Sequence, residues 1–396
     1  MRKITPEGAR VQNRRLVLKT IYDAGEISRV EIARQTRLTR PPVSELVADL
    51  IEEGLVEEIG YAPSRGGRRP MLLRVVDDSR HLIGVDLGRA DFRGAVINLR
   101  GEIKHRIQLP LNGRRGEAAL ELAYSLIDAL VESASSPLLG MGIGAPGPVD
   151  VVRGVMHHAV NLDWRGIPMR DRLQERYGMP VYIANDCQVA ALAEYTFGKN
   201  GDNVKDVVVI HVGHGVGSGI VLNGQLLHGK PLGAGEIGHV VVVEGGEQCR
   251  CGNSGCLETV AGSRAIVRRA QALARGNPGS ILHRLAASPE AITLKTICQA
   301  LDAGDESARQ VIFEAGRGLG IAAANLVGVL GSCRILLTGS VTCFGQYLLD
   351  EIRGEMTKRC LHLVARDTEV GFASLGADIV LLGASALLLP NELGLF

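Results

Sequence analysis

Apolar positions recur with a helical period up to Ile51 and in strand-length runs from Leu55 onward. ARVQNRRLVLKTIYDAG, residues 9–25, reads as a helix ended by Gly25. ISRVEIARQTRL carries Ser28 with Glu31 three residues on, which predicts a capping box before a short helix. A third helix follows in TRPPVSELVADLIEEGLV, where Thr39 stands at the cap and Pro41 and Pro42 occupy the first turn. Val43, Leu46, Val47, Leu50 and Ile51 fall on one face and predict a buried stripe. LVEEIGYAPSRGGRRPMLLRVV then offers two short strands around a Gly/Arg-rich tip.

Helix, short helix, tight turn, amphipathic helix and β-ribbon together follow the winged helix-turn-helix plan. On the polar face of the third helix, Arg40, Pro41, Ser44 and Glu45 are placed to approach base edges. Arg65, Arg68 and Arg69 at the wing tip suit phosphate or minor-groove contact. A small helical bundle that docks a protein, with a solvated basic loop, is the competing reading. Charge only permits DNA binding. Residues 1–80 hold 15 Lys and Arg against 12 Asp and Glu, and the whole chain is +1.

Beyond Val76, HLIGVDLG, FRGAVINL and EIKHRIQLPL read as three consecutive strands, followed by a helix (EAALELAYSLIDALVESA) and the apolar strand LLGMGIGAP. A second set begins near residue 206 with DVVVIHVG, SGIVLNG and QLLHG. The same strand–turn–strand order twice predicts a duplicated α/β unit. The domains expected are 1–80 (winged helix-turn-helix), 81–195 (first α/β lobe) and 196–396 (second lobe, with oligomerisation helices). The N-terminal residues lack the apolar core of a secretory signal, and the runs GLGIAAANLVGVLG and IVLLGASALLLP carry Asn, Gly or Ser and read as buried helices. These features predict a cytoplasmic protein outside any membrane, with its eight cysteines reduced.

Candidate chemistry concentrates in two places. GHVVVVEGGEQCRCGNSGCLE supplies His239, Cys249, Cys251 and Cys256, one imidazole and three thiols. Four N/S ligands with glycines between them fit closed tetrahedral zinc in a structural role. Chance clustering of buried thiols is the alternative. Carboxylates and amides also gather at glycine-rich turns: Asn185 and Asp186 end a strand in IANDCQVAALAE, Glu236 precedes His239 by three residues, and Glu258 follows Cys256 by two. Such a set suits the hydroxyls of a sugar, although helix capping or surface placement serves each carboxylate equally well alone.

Over nearly its whole length the chain resembles the ROK family of sugar kinases and sugar-responsive repressors. APGPVD (145–150), NLDW (161–164), ANDCQVAALAE (184–194) and GEIGH…CRCGNSGCLE (235–258) carry the resemblance. The N-terminal helix-turn-helix is similar to the branch of xylose-operon and N-acetylglucosamine repressors. The resemblance implies two ribonuclease H-like, actin-like α/β lobes with a sugar between them. It implies Asn161, Asn185, Asp186, Glu236, His239 and Glu258 as sugar contacts, with His239 also holding zinc. Asp186 stands where the kinases have their general base, so that residue alone does not separate enzyme from sensor.

The ATP motifs depart from the kinase pattern. After Asp86, Leu87 and Gly88 come Arg89 and Ala90, where kinases have a second glycine and a threonine. GHGVGSG has His214 in place of a usual threonine, and LTGSVT keeps one glycine. A bulky side chain obstructs close approach of backbone to phosphate. The expectation is therefore a sugar-responsive repressor of carbohydrate genes, without catalytic residues, that binds double-stranded operator DNA as a homodimer or homotetramer. A glucokinase-like enzyme with an added DNA-binding domain is the alternative. A third reading makes the lobes a platform for a protein partner.

Overall fold

The computed structural model describes residues 5–62, 69–199, 205–229 and 233–395. The chain forms two compact units, Met1–Asp186 with Val380–Phe396, and Cys187–Ile379. The first unit opens with α1 (Pro6–Ala24), β1 (Ile27–Ser28), α2 (Arg29–Thr36), α3 (Arg40–Glu52), β2 (Val56–Tyr61) and β3 (Met71–Val75). The three strands form a sheet in the order β1-β3-β2, the winged helix-turn-helix expected.

Local chemistry explains these boundaries, with two departures from expectation. Ser28 Oγ accepts from the Glu31 amide at 3.3 Å, so the cap is made. The Glu31 carboxylate instead turns to Arg34 and Gln35, which leaves the reciprocal half of the box unmade. Thr39 sits at the cap of α3 but makes no side-chain bond. The nitrogens it would serve, at the second and third helical positions, belong to Pro41 and Pro42 and carry no hydrogen. Val43, Leu46, Val47 and Leu50 are buried as predicted, and Ile51 is half-buried. Tyr22 docks this module on the rest of its unit. Its hydroxyl donates to the Leu99 carbonyl at 2.7 Å, and the Arg100 guanidinium lies 3.9 Å from the ring centroid.

The remainder of the first unit contains β4 (His81–Asp86), β5 (Asp91–Asn98), β6 (Ile103–Pro110), α4 (Gly116–Ser133), β7 (Leu138–Ala145), β8 (Val149–Asp150), β9 (Val155–Ala159), β10 (Trp164–Ile167), α5 (Met169–Tyr177) and β11 (Val181–Asn185). Its main sheet runs β11-β7-β4-β5-β6, with β5 and β6 antiparallel and β7 and β11 parallel. A small sheet, β10-β9-β8, was not predicted, because its strands are only two to five residues long.

The second unit follows from α6 (Asp186–Phe197) with β12 (Val207–Val212), β13 (Val216–Leu222), β14 (Gln225–Leu226), α7 (Leu257–Ala261), α8 (Ser263–Gly276), α9 (Ile281–Leu285), α10 (Leu294–Asp302), α11 (Glu306–Leu330), β15 (Arg334–Gly339), α12 (Gly345–Arg359), α13 (His362–Arg366) and β16 (Glu369–Phe372). Its sheet order, β14-β13-β12-β15-β16, repeats that of the first unit strand for strand. The duplication read from the sequence is thus a duplicated topology.

The last helix, α14 (Ile379–Ala386), packs on the first unit's sheet rather than the second's. A Cβ on Gly142 would lie 1.7 Å from the Ala384 carbonyl oxygen, so only glycine permits this backbone contact. The expected domains cut at 195/196 and kept the C-terminal segment with the second lobe; the compact units divide after Asp186 and return Val380–Phe396 to the first. Two helical segments, Glu306–Leu330 and Gly376–Leu393, are long and apolar enough to span a bilayer, yet most of each is buried within the protein.

Candidate functional site

Exposure separates the two faces of α3. Arg40, Pro41, Ser44 and Glu45 are all exposed, opposite the buried stripe. Glu45 faces Arg10 of α1 at 3.4 Å, and Arg10 also holds Asp49 at 2.7 Å. Arg69 is exposed just beyond the wing tip, while Arg65 and Arg68 lie outside the described residues. One cation went unnoticed in the sequence: Arg37, at φ 58° in the turn between α2 and α3, is exposed and makes no ion pair among the described residues.

The four metal-type side chains converge. One ligand atom from each of His239, Cys249, Cys251 and Cys256 lies within 4.8 Å of every other. Cys249 Sγ is 3.7 Å from His239 Nδ1, and Cys251 Sγ is 3.6 Å from Cys256 Sγ. Ligands at roughly 2.0–2.3 Å from a tetrahedral ion stand about 3.5–3.8 Å apart, so the cluster has room for one such ion. The turn is held by Cys249 N–H to Asn253 O at 2.7 Å and Gly252 N–H to Cys249 O at 3.0 Å. Gly255, at φ 75°, closes it; a Cβ there would lie 1.7 Å from the Val243 carbonyl oxygen. Burial and neighbouring thiols push the Cys256 thiol up to about 12, a cost that a cation relieves.

The six expected sugar contacts divide between the units. In the first, Asn161 lies in the β9–β10 turn, Asn185 ends β11 and donates to the Gly147 carbonyl at 3.0 Å, and Asp186 starts α6. In the second, Glu236 is exposed just before a short 3-10 turn that ends at His239. Glu258, in the first turn of α7, accepts from the Val216 amide at 3.2 Å. That amide belongs to the GHGVGSG loop, so a carboxylate already faces the backbone expected to hold phosphate.

The strand end at Asp86 is engaged in a comparable way. Asp86 is only 6% exposed and lies directly opposite Arg93 in the β4–β5 ladder. The Arg93 guanidinium ion-pairs with the Asp86 carboxylate, with Nε 3.1 Å from Oδ2. Burial raises the carboxyl to about 6 while Arg93 opposes the rise; the charges of Asp186 and Asp91 add to it. Sequence reading missed Arg93, although its place one hairpin partner from Asp86 was legible.

Comparison with known proteins agrees with these features. Residues 82–391 match the ROK family, and residues 11–57 match a winged helix-turn-helix DNA-binding domain. A xylose repressor from Caldicellulosiruptor bescii is 34% identical over 387 residues, covering 96% of both chains. A glucokinase from Halalkalibacterium halodurans is 37% identical over 320 residues, 79% of this chain and 96% of that protein. A crystal structure of a ROK family transcriptional regulator, a homolog of the E. coli MLC protein, superposes with a TM-score of 0.86 at 27% identity over 98% of each chain.

The Asp86–Arg93 pair has a pH signature. Because the folded carboxyl titrates near 6, above its ordinary value of 3.8, this group's contribution falls as pH rises between about 4 and 6. Arg93→Met removes the opposing cation and keeps the bulk. It is expected to cost about 1–2 kcal/mol at pH 7, with the loss shrinking as pH falls through about 6 and the carboxyl takes up a proton. Urea unfolding at pH 5 and pH 7 measures this; an equal loss at both values would contradict it.

Proposed function

We propose that this chain, which belongs to the ROK family and carries a winged helix-turn-helix ahead of the family domain, is a sugar-responsive DNA-binding repressor of carbohydrate metabolism or transport genes. The observation that carries the reading is a well-packed DNA-binding module on the same chain as two lobes of matching topology. The xylose repressor aligns with both parts, whereas the glucokinase aligns with 79% of the chain.

In this reading α3 enters the major groove with Arg40, Pro41, Ser44 and Glu45 toward base edges, and Arg37 takes a phosphate. Arg65, Arg68 and Arg69 hold the backbone or minor groove. Two copies reading a roughly palindromic operator require a homodimer or homotetramer. The protein acts in the cytoplasm, where its target DNA is. Asn161, Asn185, Asp186, Glu236, His239 and Glu258 are the sugar contacts. The ion of the Cys/His cluster is zinc, held by Nδ1 of His239 and the three thiolates, which fixes His239 and the start of α7 in place. Any sugar effect on operator affinity must equal the sugar's differential affinity for the DNA-bound and free states. The Tyr22–Leu99 contact couples the winged helix to its lobe and is the route by which such a difference reaches DNA.

Phosphoryl transfer is absent from this reading. Arg93 on Asp86, the Glu258 carboxylate on the Val216 amide, and Arg89–Ala90 in place of glycine and threonine all stand against bound phosphates.

Fluorescence anisotropy with fragments from upstream of the chain's own operon tests the DNA half. Specific binding at fixed salt, altered by at least one member of a sugar panel, is expected. Arg40→Ala should cost about 1–3 kcal/mol of specific affinity with little change on random DNA. Absence of any specific fragment would overturn the proposal. Metal analysis by mass spectrometry should find one zinc per chain, lost together with thermal stability in Cys249→Ser. Full stability after exhaustive chelation would refute a structural zinc.

A further inference from the structure

An open cavity of about 380 Å³ in the first unit is lined by three arginines, Arg89, Arg114 and Arg115, together with Asn112 and Asn161. Three separate turns build it. The β4–β5 turn brings Arg89, and its Ala90 carbonyl accepts from the Leu111 amide at 2.9 Å. The β6–α4 turn brings Arg114 and Arg115, closed by Arg114 N–H to Leu111 O at 2.9 Å. The β9–β10 turn brings Asn161, fastened by Gly116 N–H to Leu162 O at 2.8 Å and Trp164 Nε1 to Gly116 O at 2.9 Å.

The electrostatics of this cavity are one-sided. Arg114 donates only to the carbonyls of Pro110 and Leu111, and among the described residues none of the three guanidiniums pairs with a carboxylate. Arginines elsewhere in the unit do pair, as Arg93 does with Asp86 and Arg176 with Asp128 at 2.8 Å. Glu117, the acidic residue in the first turn of α4, faces Arg172 at 3.8 Å. The 18-residue helix α4 starts beside the cavity with no side chain capping its first amides, so its positive end adds to the field. Asn161 adds a neutral donor beside the arginines: its Nδ2 is buried and has no acceptor among the described residues. A donor in that state costs free energy until an oxygen reaches it.

We infer that this cavity binds an oxyanion, and that the effector brings it as a phosphate ester or a carboxylate on a sugar. The inference rests on the proposal that the chain senses a sugar, and it narrows the effector to an anionic one. Arg89, whose side chain breaks the phosphate motif, thereby acquires a role of its own. A neutral sugar would leave three guanidiniums without a counter-charge, whereas an oxyanion accepts from several of them at once.

Isothermal titration of the full-length protein at fixed salt tests this with four kinds of probe: neutral sugars, their phosphate esters, their carboxylate derivatives, and inorganic phosphate alone. One anionic class should bind at least about tenfold tighter than its neutral parent. Which class does so separates phosphate from carboxylate. Arg89→Ala and Arg115→Ala should each weaken that ligand about tenfold or more while changing the neutral parent less than about twofold, which also reports that the variants are folded. Arg115→Lys should recover part of the loss. If a neutral sugar binds and shifts operator affinity, but its anionic derivatives bind no tighter, this inference is overturned and sugar sensing stands. Inorganic phosphate binding as tightly as every sugar derivative would overturn the assignment to the effector. No binding in any arm would overturn both.

Discussion

Asp86 lies almost fully buried at the end of β4, and the Arg93 guanidinium across the ladder is the cation that opposes its desolvation. A carboxylate at that depth needs a positive partner or a proton. Here the partner is supplied by the fold itself, from the neighbouring strand. The turn that follows carries Arg89 and Ala90.

The second lobe repeats the first in its sheet order, and its glycine-rich turn is likewise met from within. Glu258 accepts from the Val216 amide in that turn. Glu258 lies two residues beyond Cys256, so the metal-type cluster and this contact depend on the same short stretch of chain. The two lobes thus share one sheet order, and in each a group at a strand end or a glycine-rich turn is paired within its own unit. The winged helix module completes the molecule and is joined to the first lobe through Tyr22.

Much of this was legible in the sequence, wherever local rules decide the outcome. Gly25 ends α1, Ser28 caps α2, and Val43, Leu46, Val47 and Leu50 form one buried face because each depends on neighbours a few residues away. The Cys/His cluster was readable because its spacing in sequence is short. What escaped was decided at a distance. The return of α14 to the first sheet depends on Gly84 and Gly142, some 240 to 300 residues upstream. The arginine-lined cavity needs three turns that only the folded sheet brings together. Thr39 shows a local rule failing for a local reason, since the prolines that favour a helix start also remove the amides a cap would bond.

In the function proposed above, the lobes report a sugar to the DNA-binding module without transferring phosphate. Operator affinity at saturating sugar, measured with and without MgATP while released ADP is followed in the same sample, tests it most directly. A sugar response that MgATP leaves unchanged, with no sugar-dependent ADP, is expected. A response that requires MgATP, or ADP release on the order of 1 s⁻¹, ordinary for an enzyme, would contradict it.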